Sequence, residues 1–271
     1  MREGFESIGG QRLHYLDRGE AGRSAVVLVH GFNQTAHSWD EFAERLADGG
    51  TRVVAFDQRG HGDSERAADY GREAMADDVV ALAGALGIER FALVGMSMGA
   101  VHSVVAAGRH PGRVRALVLV DWAPEVEARG RDAILKMALL SFASFEEAVA
   151  AMHAFNPRRS LDNLRARLRH SMGPGDDGRW RWKVDAAGLG AHPRFREPPD
   201  SVWAAVDRIA CPTLIIRGGE SDLLTADMAD QLATRARAQV VTIAGAGHSI
   251  AGDRPDDFFA AVAPFLRAHA G

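Results

Sequence analysis

The chain of 271 residues is 46% hydrophobic and 25% charged, a composition typical of a folded globular protein and unlike that of a disordered or fibrous one. Its formal net charge is −4 and its basic residues are scattered among acidic ones, so we expect no binding to nucleic acid. A single cysteine, Cys211, cannot form an intrachain disulfide, and no apolar run is long enough to span a bilayer, so we expect a cytoplasmic protein that does not bind membranes.

In chain order, a predicted antiparallel hairpin that turns at Gly9-Gly10 is followed by six compact apolar runs. Each run has the length and the continuous apolar character of a parallel strand that is buried on both faces. The runs are residues 25–29, 52–56, 91–94, 114–120, 213–216 and 240–243. Segments with the apolar spacing of helices separate most of these runs. The sequence therefore predicts an α/β fold with a doubly wound, mostly parallel, eight-stranded sheet.

This alternation of strands and helices breaks between residues 124 and 206. Helix-like pieces at 134–140, 145–155 and 161–168 are followed by a stretch that is rich in Gly, Pro and Trp. We interpret residues 124–206 as a mostly helical cap that is inserted after the sixth strand. Residues 1–123 and 207–271 are expected to form the core domain.

The strongest local motif is Gly95-Met96-Ser97-Met98-Gly99, which joins a predicted strand to an Ala-rich helical stretch. In that context a G-x-S-x-G motif indicates a sharp turn that exposes the serine hydroxyl at the edge of the sheet. The glycines allow the strand and the helix to approach each other closely. The motif predicts that Ser97 is a nucleophile.

A serine hydroxyl needs a base to accept its proton, and His248 is the best placed of the eleven histidines. It follows the last predicted strand, in Gly245-Ala-Gly-His, and is therefore expected at the same edge of the sheet as Ser97. An oxyanion hole in such a site uses the amide that follows the nucleophile and one from the first strand–helix loop, which here are those of Met98 and Phe32.

The chain resembles the α/β-hydrolase family over essentially its whole length outside the cap. The resemblance lies in four motifs in family order: HGF at residues 30–32, DQRGHGDS from Asp57, GMSMG and GAGH. It implies that the DQRGHG loop is mainly a structural turn, so His61 is not assigned to catalysis. Because the nucleophile position holds Ser97, the chain does not resemble the dehalogenases and epoxide hydrolases of this fold, which use an aspartate.

Two aspartates remain as candidates for the acid that orients His248. Asp222 follows the seventh strand, one residue beyond the position that is common in the family, which Ser221 occupies. Asp121 directly follows the sixth strand. A branch of the family that includes 2-(acetamidomethylene)succinate hydrolase and zearalenone lactonase places its acid after the sixth strand, and the chain is similar to that branch. The resemblance favours Asp121, with Asp222 as the alternative.

Apolar and amide side chains near these motifs and in the expected cap are further candidates for the site. The candidate substrate-binding residues are Asn33, Met96, Trp122, Trp180 and Trp182. No motif for a metal or a nucleotide is present, so no metal and no cofactor are expected.

The predicted function is that of a serine hydrolase, a carboxylesterase or lactonase, that cleaves a small ester or lactone through an acyl-enzyme. The alternatives are an amide hydrolase, a carbon–carbon bond hydrolase or lyase with the same triad, and a ligand receptor with low turnover. The sequence does not predict the oligomeric state.

Overall fold

The computed structural model describes residues 1–191 and 199–269. Its main sheet consists of β1 (Arg2–Ile8), β2 (Gln11–Arg18), β3 (Ala25–Val29), β4 (Arg52–Phe56), β5 (Phe91–Met96), β6 (Val114–Val120), β10 (Thr213–Gly218) and β11 (Gln239–Ile243). Three short strands lie between β6 and β10: β7 (Ser141–Phe142), β8 (Met172–Pro174) and β9 (Trp180–Trp182).

The helices of the described residues are α1 (Asp40–Asp48), α2 (Arg72–Ala85), α3 (Met98–Arg109), α4 (Ala128–Ala138), α5 (Phe145–Phe155), α6 (Leu161–Ser171), α7 (Ala186–Ala191), α8 (Asp200–Val206), α9 (Ala226–Ala236), α10 (Ile250–Asp253) and α11 (Pro255–His269). A turn of 3-10 helix, Ala36–Trp39, precedes α1. None of the helices in these ranges is long and apolar enough to cross a membrane.

The main sheet has the strand order β1-β2-β4-β3-β5-β6-β10-β11. The hairpin β1–β2 is antiparallel and pairs antiparallel with β4, whereas the remaining neighbours are parallel. The predicted α/β fold with eight strands is confirmed, and the sequence missed only a few residues at the strand ends.

Helices cover both faces of the sheet, as the continuous apolar strands require. On β3, Val27 and Val29 lie on the face of the sheet that α2, α3 and α9 cover, while Val26 and Leu28 lie on the face that α1 and α11 cover. Successive side chains of a strand point to opposite faces, so all five residues of β3 are buried. The motifs that are predicted to be catalytic therefore lie at the ends of strands that are packed on both faces.

The region between β6 and β10 places several helices and a second sheet above the carboxyl edge of the main sheet. Helix α5 has the bounds that the sequence predicts, because Ser144 caps it: its hydroxyl accepts a hydrogen bond from the Glu147 amide at 3.1 Å. The sequence did not predict the small sheet, whose order is β7-β9-β8. Its strands have two or three residues, too few for an alternating pattern to be seen.

At the end of this region, α8 packs on α3 of the core and buries Val202 and Val206 against it. Residues 192–198, which belong to the expected cap, lie outside the described residues.

Candidate active site

Ser97 occupies a sharp turn between β5 and α3. Its φ of 51° is in the left-handed region, which is unfavourable for a serine. A Cβ at Gly95 would overlap the Ser103 hydroxyl, and a Cβ at Gly99 would overlap the Val29 carbonyl oxygen. Both glycines are therefore needed for the close packing that holds the hydroxyl of Ser97 at the sheet edge.

His248 and Asp121 meet at this edge. The His248 Nδ1 atom lies 2.8 Å from Asp121 Oδ2, and the Asp121 carboxylate is buried. Asp121 directly follows β6, and Ser97 directly follows the neighbouring strand β5. The Ser97 amide donates a hydrogen bond to the Val120 carbonyl at 3.0 Å. Of the two candidate acids, the structure brings Asp121 to His248, whereas Asp222 is an exposed residue at the rim of the cavity.

Sequence reasoning assigned no role to Ser221, although it lies in this arrangement. Its Oγ is 2.5 Å from Asp121 Oδ2, the oxygen that also contacts His248. The signal was present in the sequence, because Ser221 stands where the acid is common in the family.

The backbone amides that are predicted to form the oxyanion hole lie on two elements next to Ser97. Met98 is the first residue of α3, and its amide belongs to the positive end of that helix. Phe32 belongs to the loop after β3, where the Gln34 side chain accepts from the Gly31 amide at 2.9 Å. A Cβ on Gly31 would be 3.5 Å from the Ser97 Cβ, so this loop runs directly beside Ser97.

Ser97 and His248 line a cavity of about 370 Å³ between the main sheet and the helices above it. Three of the predicted substrate-binding residues, Asn33, Met96 and Trp182, line the same cavity. The residues from α4 to α6 that add apolar surface are Ile134, Met137, Met152, Phe155, Leu164 and Leu168. The cavity has the size and the largely apolar lining of a site for a small molecule.

The structure does not bring Trp122 and Trp180 to the cavity. Trp122 is buried in the core cluster on the face of the sheet that α2 and α3 cover. Trp180 packs its ring on Phe145 of α5, with a centroid distance of 5.1 Å, within the cluster of the small sheet. Both aromatic rings are used for packing, a role that the sequence pattern does not distinguish from substrate contact.

Two arginines that the sequence analysis did not single out, Arg159 and Arg167, line the cavity. Burial and repulsion from Arg167 lower the pKa of Arg159 to about 9, and burial also lowers the pKa of Arg167. The Arg159 guanidinium donates to the neutral Asn163 side chain at 2.7 and 2.9 Å. Within the described ranges, neither arginine forms a salt bridge, and more distant carboxylates such as that of Asp253 offset their charge only in part.

The loop between α5 and α6 is tied to the core beside His248. Asn156 Nδ2 donates to Asp253 Oδ1 at 2.8 Å, and Asp253 Oδ2 accepts from the Gly247 amide at 2.9 Å. Arg158 forms an ion pair with Glu220 at the cavity rim. The same contacts thus position both the cavity roof and the histidine loop.

Known proteins match almost the whole chain. A family model described as alpha/beta hydrolase fold matches residues 24–255. N-formylmaleamate deformylase of Pseudomonas putida is 32% identical over 97% of this chain and 96% of its own length. An esterase of Mycobacterium tuberculosis is 29% identical over 85% of this chain and 78% of its own.

Among solved structures, that of E-2-(acetamidomethylene)succinate hydrolase matches with a TM-score of 0.87 at 27% identity and covers 98% of this chain and 99% of that one. The predicted resemblance to this family, and to the branch that contains this hydrolase, is confirmed.

Proposed function

We propose that this chain, which belongs to the α/β-hydrolase family, is a serine hydrolase that cleaves a small ester or lactone through an acyl-enzyme. The observation that supports it most is the hydrogen bond between His248 Nδ1 and Asp121 Oδ2 in a cavity that Ser97 also lines. This bond leaves Nε2 of His248 as the atom that accepts the serine proton.

The proposed reaction begins when Ser97 Oγ attacks the substrate carbonyl and His248 Nε2 takes its proton. The amides of Phe32 and Met98 stabilise the negative oxygen of the tetrahedral intermediate. The intermediate collapses as His248 returns the proton to the departing alcohol oxygen. Water then attacks the acyl-enzyme with His248 as base, which releases the acid and restores Ser97.

The cap, residues 124–206, is proposed to select the substrate, because its side chains form much of the cavity wall above Ser97. The guanidinium groups of Arg159 and Arg167 favour a substrate that carries a carboxylate. An anion would offset both the burial of these cations and their mutual repulsion. Two proteins similar to this chain are named for carboxylate substrates, N-formylmaleamate and 2-(acetamidomethylene)succinate, which supports the same choice.

A second candidate is hydrolysis of an amide, which the side chain of Asn33 favours. Its Oδ1 is buried and accepts no hydrogen bond in the part of the chain that the structure describes, while its Nδ2 donates to the Ile134 carbonyl at 3.4 Å. A buried acceptor in a substrate cavity needs a hydrogen-bond donor, and the N–H of a scissile amide group supplies one whereas an ester group does not. The names of the same two relatives also denote an N-formyl and an acetamido compound.

The test of the proposed function is hydrolysis of short-chain p-nitrophenyl esters by the wild-type protein and by Ser97→Ala. We expect a burst of p-nitrophenol equal to the enzyme concentration, followed by turnover, and neither in Ser97→Ala. Ser144→Ala is the matched control, because that serine caps α5 away from the cavity and should leave the burst intact. Turnover that persists in Ser97→Ala would disprove the nucleophile. If no ester is cleaved, product analysis with amide and carbon–carbon substrates, followed by ligand-induced thermal shifts, separates the remaining alternatives.

A further inference from the structure

The carboxylate of Asp121 receives three hydrogen bonds although its residue is almost completely buried. Oδ1 accepts from the Gly218 amide at 2.9 Å. Oδ2 accepts from His248 Nδ1 at 2.8 Å and from Ser221 Oγ at 2.5 Å. The Gly218 amide and the Ser221 hydroxyl contact different oxygens, so together they fix the plane of the carboxylate.

The direction of the Ser221 hydroxyl is itself fixed by its surroundings. Its Oγ accepts from the Leu223 amide at 3.1 Å and from the Leu224 amide at 3.2 Å. A hydroxyl has two acceptor positions and one proton. With both acceptor positions occupied by backbone amides, the proton is left for Asp121 Oδ2.

We infer that Ser221 is a positioning residue, whose hydroxyl orients the Asp121 carboxylate toward His248. It stands where the triad acid is common in the family, so a hydrogen-bond donor to the acid occupies that position here. This inference rests on the proposed function, because it assumes that Asp121 and His248 serve Ser97.

The experiment measures the rate at which a fluorophosphonate probe labels Ser97, which needs no knowledge of the natural substrate. In Ser221→Ala we expect labelling to slow by about tenfold, since the lost bond is one to a charged group. We also expect the acidic limb of the labelling rate to move to higher pH. A carboxylate with one donor fewer holds the proton of the histidine more strongly.

Thr225→Ala is the matched control. The Thr225 hydroxyl accepts from the Met228 amide at 3.2 Å at the start of α9, so this variant also loses a hydroxyl that caps backbone in the same segment, but without a contact to Asp121. A purely structural role for Ser221 predicts that both variants show the same labelling rate and the same pH profile. That result would overturn the inference.

A second readout is the far-downfield proton resonance of His248 Nδ1–H in the nuclear magnetic resonance spectrum. We expect it to move in Ser221→Ala and to stay in place in Thr225→Ala. If the probe fails to label even the wild type while this resonance still moves, the proposed function fails and the positioning role stands. If labelling is normal in the wild type and the resonance is unchanged in Ser221→Ala, only the positioning role fails.

Discussion

Ser97 and Asp121 both have a positive φ angle, which is unusual for residues other than glycine. Among the described residues other than glycine, the positive φ angles are those of Ser97, Asp121 and Arg237, at 51°, 49° and 53°. Arg237 ends helix α9, where a left-handed residue is common. The other two directly follow the neighbouring strands β5 and β6, where Ser97 lines the cavity and Asp121 contacts His248. Strain that the surrounding structure maintains at such a point is typical of a functional site.

The two candidate acids are distinguished by their asparagine variants. We expect Asp121→Asn to lower kcat by about four orders of magnitude, because an amide at this position stabilises neither the correct tautomer nor the charged form of His248. Asp222→Asn is the matched control, since Asp222 is exposed and its carboxylate forms no described hydrogen bond with His248. Ester hydrolysis under substrate saturation measures both. A larger loss in Asp222→Asn would show that the histidine turns to the other acid during the reaction.

Among the helices and strands, those with a long apolar pattern were predicted most accurately from the sequence. The buried strands β3, β4, β5 and β6 have four or more apolar residues in sequence, and Ser97 and His248 follow strand ends, so both the fold and the position of these two residues could be expected. The residues that line the cavity could not be predicted in this way. Arg165 and Arg167 lie on the same helix, and only the packing of that helix on the core turns Arg167 inward.

The next prediction concerns Arg167, which lies on the face of α6 that is turned toward the cavity. We expect Arg167→Met to lower kcat/KM for the mono-p-nitrophenyl ester of succinate by about 10- to 100-fold, the value of a charge-assisted hydrogen bond. The butyrate ester has no carboxylate, so its kcat/KM should change little. A ratio of the two substrates that stays constant would contradict an anion site.

Arg165→Met is the matched control for this measurement. Arg165 lies on the same helix, but its guanidinium pairs with Glu146 outside the cavity, 3.0 Å from the carboxylate. We expect it to leave the preference for the succinate ester unchanged, since a pair at the surface contributes little.

At the scale of the whole molecule, a buried ion pair connects the N-terminal hairpin to the loops that follow β3 and β4. His14 of β2 contacts Asp57 Oδ2 through Nδ1 at 2.8 Å. Asp57 also accepts from the amides of Ala36 and Asp63, at 2.6 and 2.9 Å. His14 and Asp57 are at most 1% exposed, so a loss of either partner leaves a buried group without its counterpart.

The two pKa shifts of this pair define the pH range in which it stabilises the fold. Although burial opposes it, the hydrogen bond and the charge of Asp57 raise the pKa of His14 above its ordinary 6.5. Against the effect of burial, the hydrogen bond from His14 and the charge of His30 lower the pKa of Asp57 below 3.8. The contribution of His14 is complete below pH 6.5 and disappears as the pH rises through its raised pKa. That of Asp57 is complete above pH 3.8 and disappears as the pH falls through its lowered pKa.

We therefore expect His14→Gln to lower the free energy of unfolding most between pH 4 and 6.5, by about 3 kcal/mol, and progressively less above that range. Thermal unfolding of the wild type and the variant from pH 4 to 9 measures the difference. His110→Gln serves as the control, because His110 pairs with Asp77 at 2.9 Å on a partly exposed surface and should change stability by less than about 1 kcal/mol. An equal effect of His14→Gln at pH 5 and pH 9 would mean that His14 acts through packing and not through its charge.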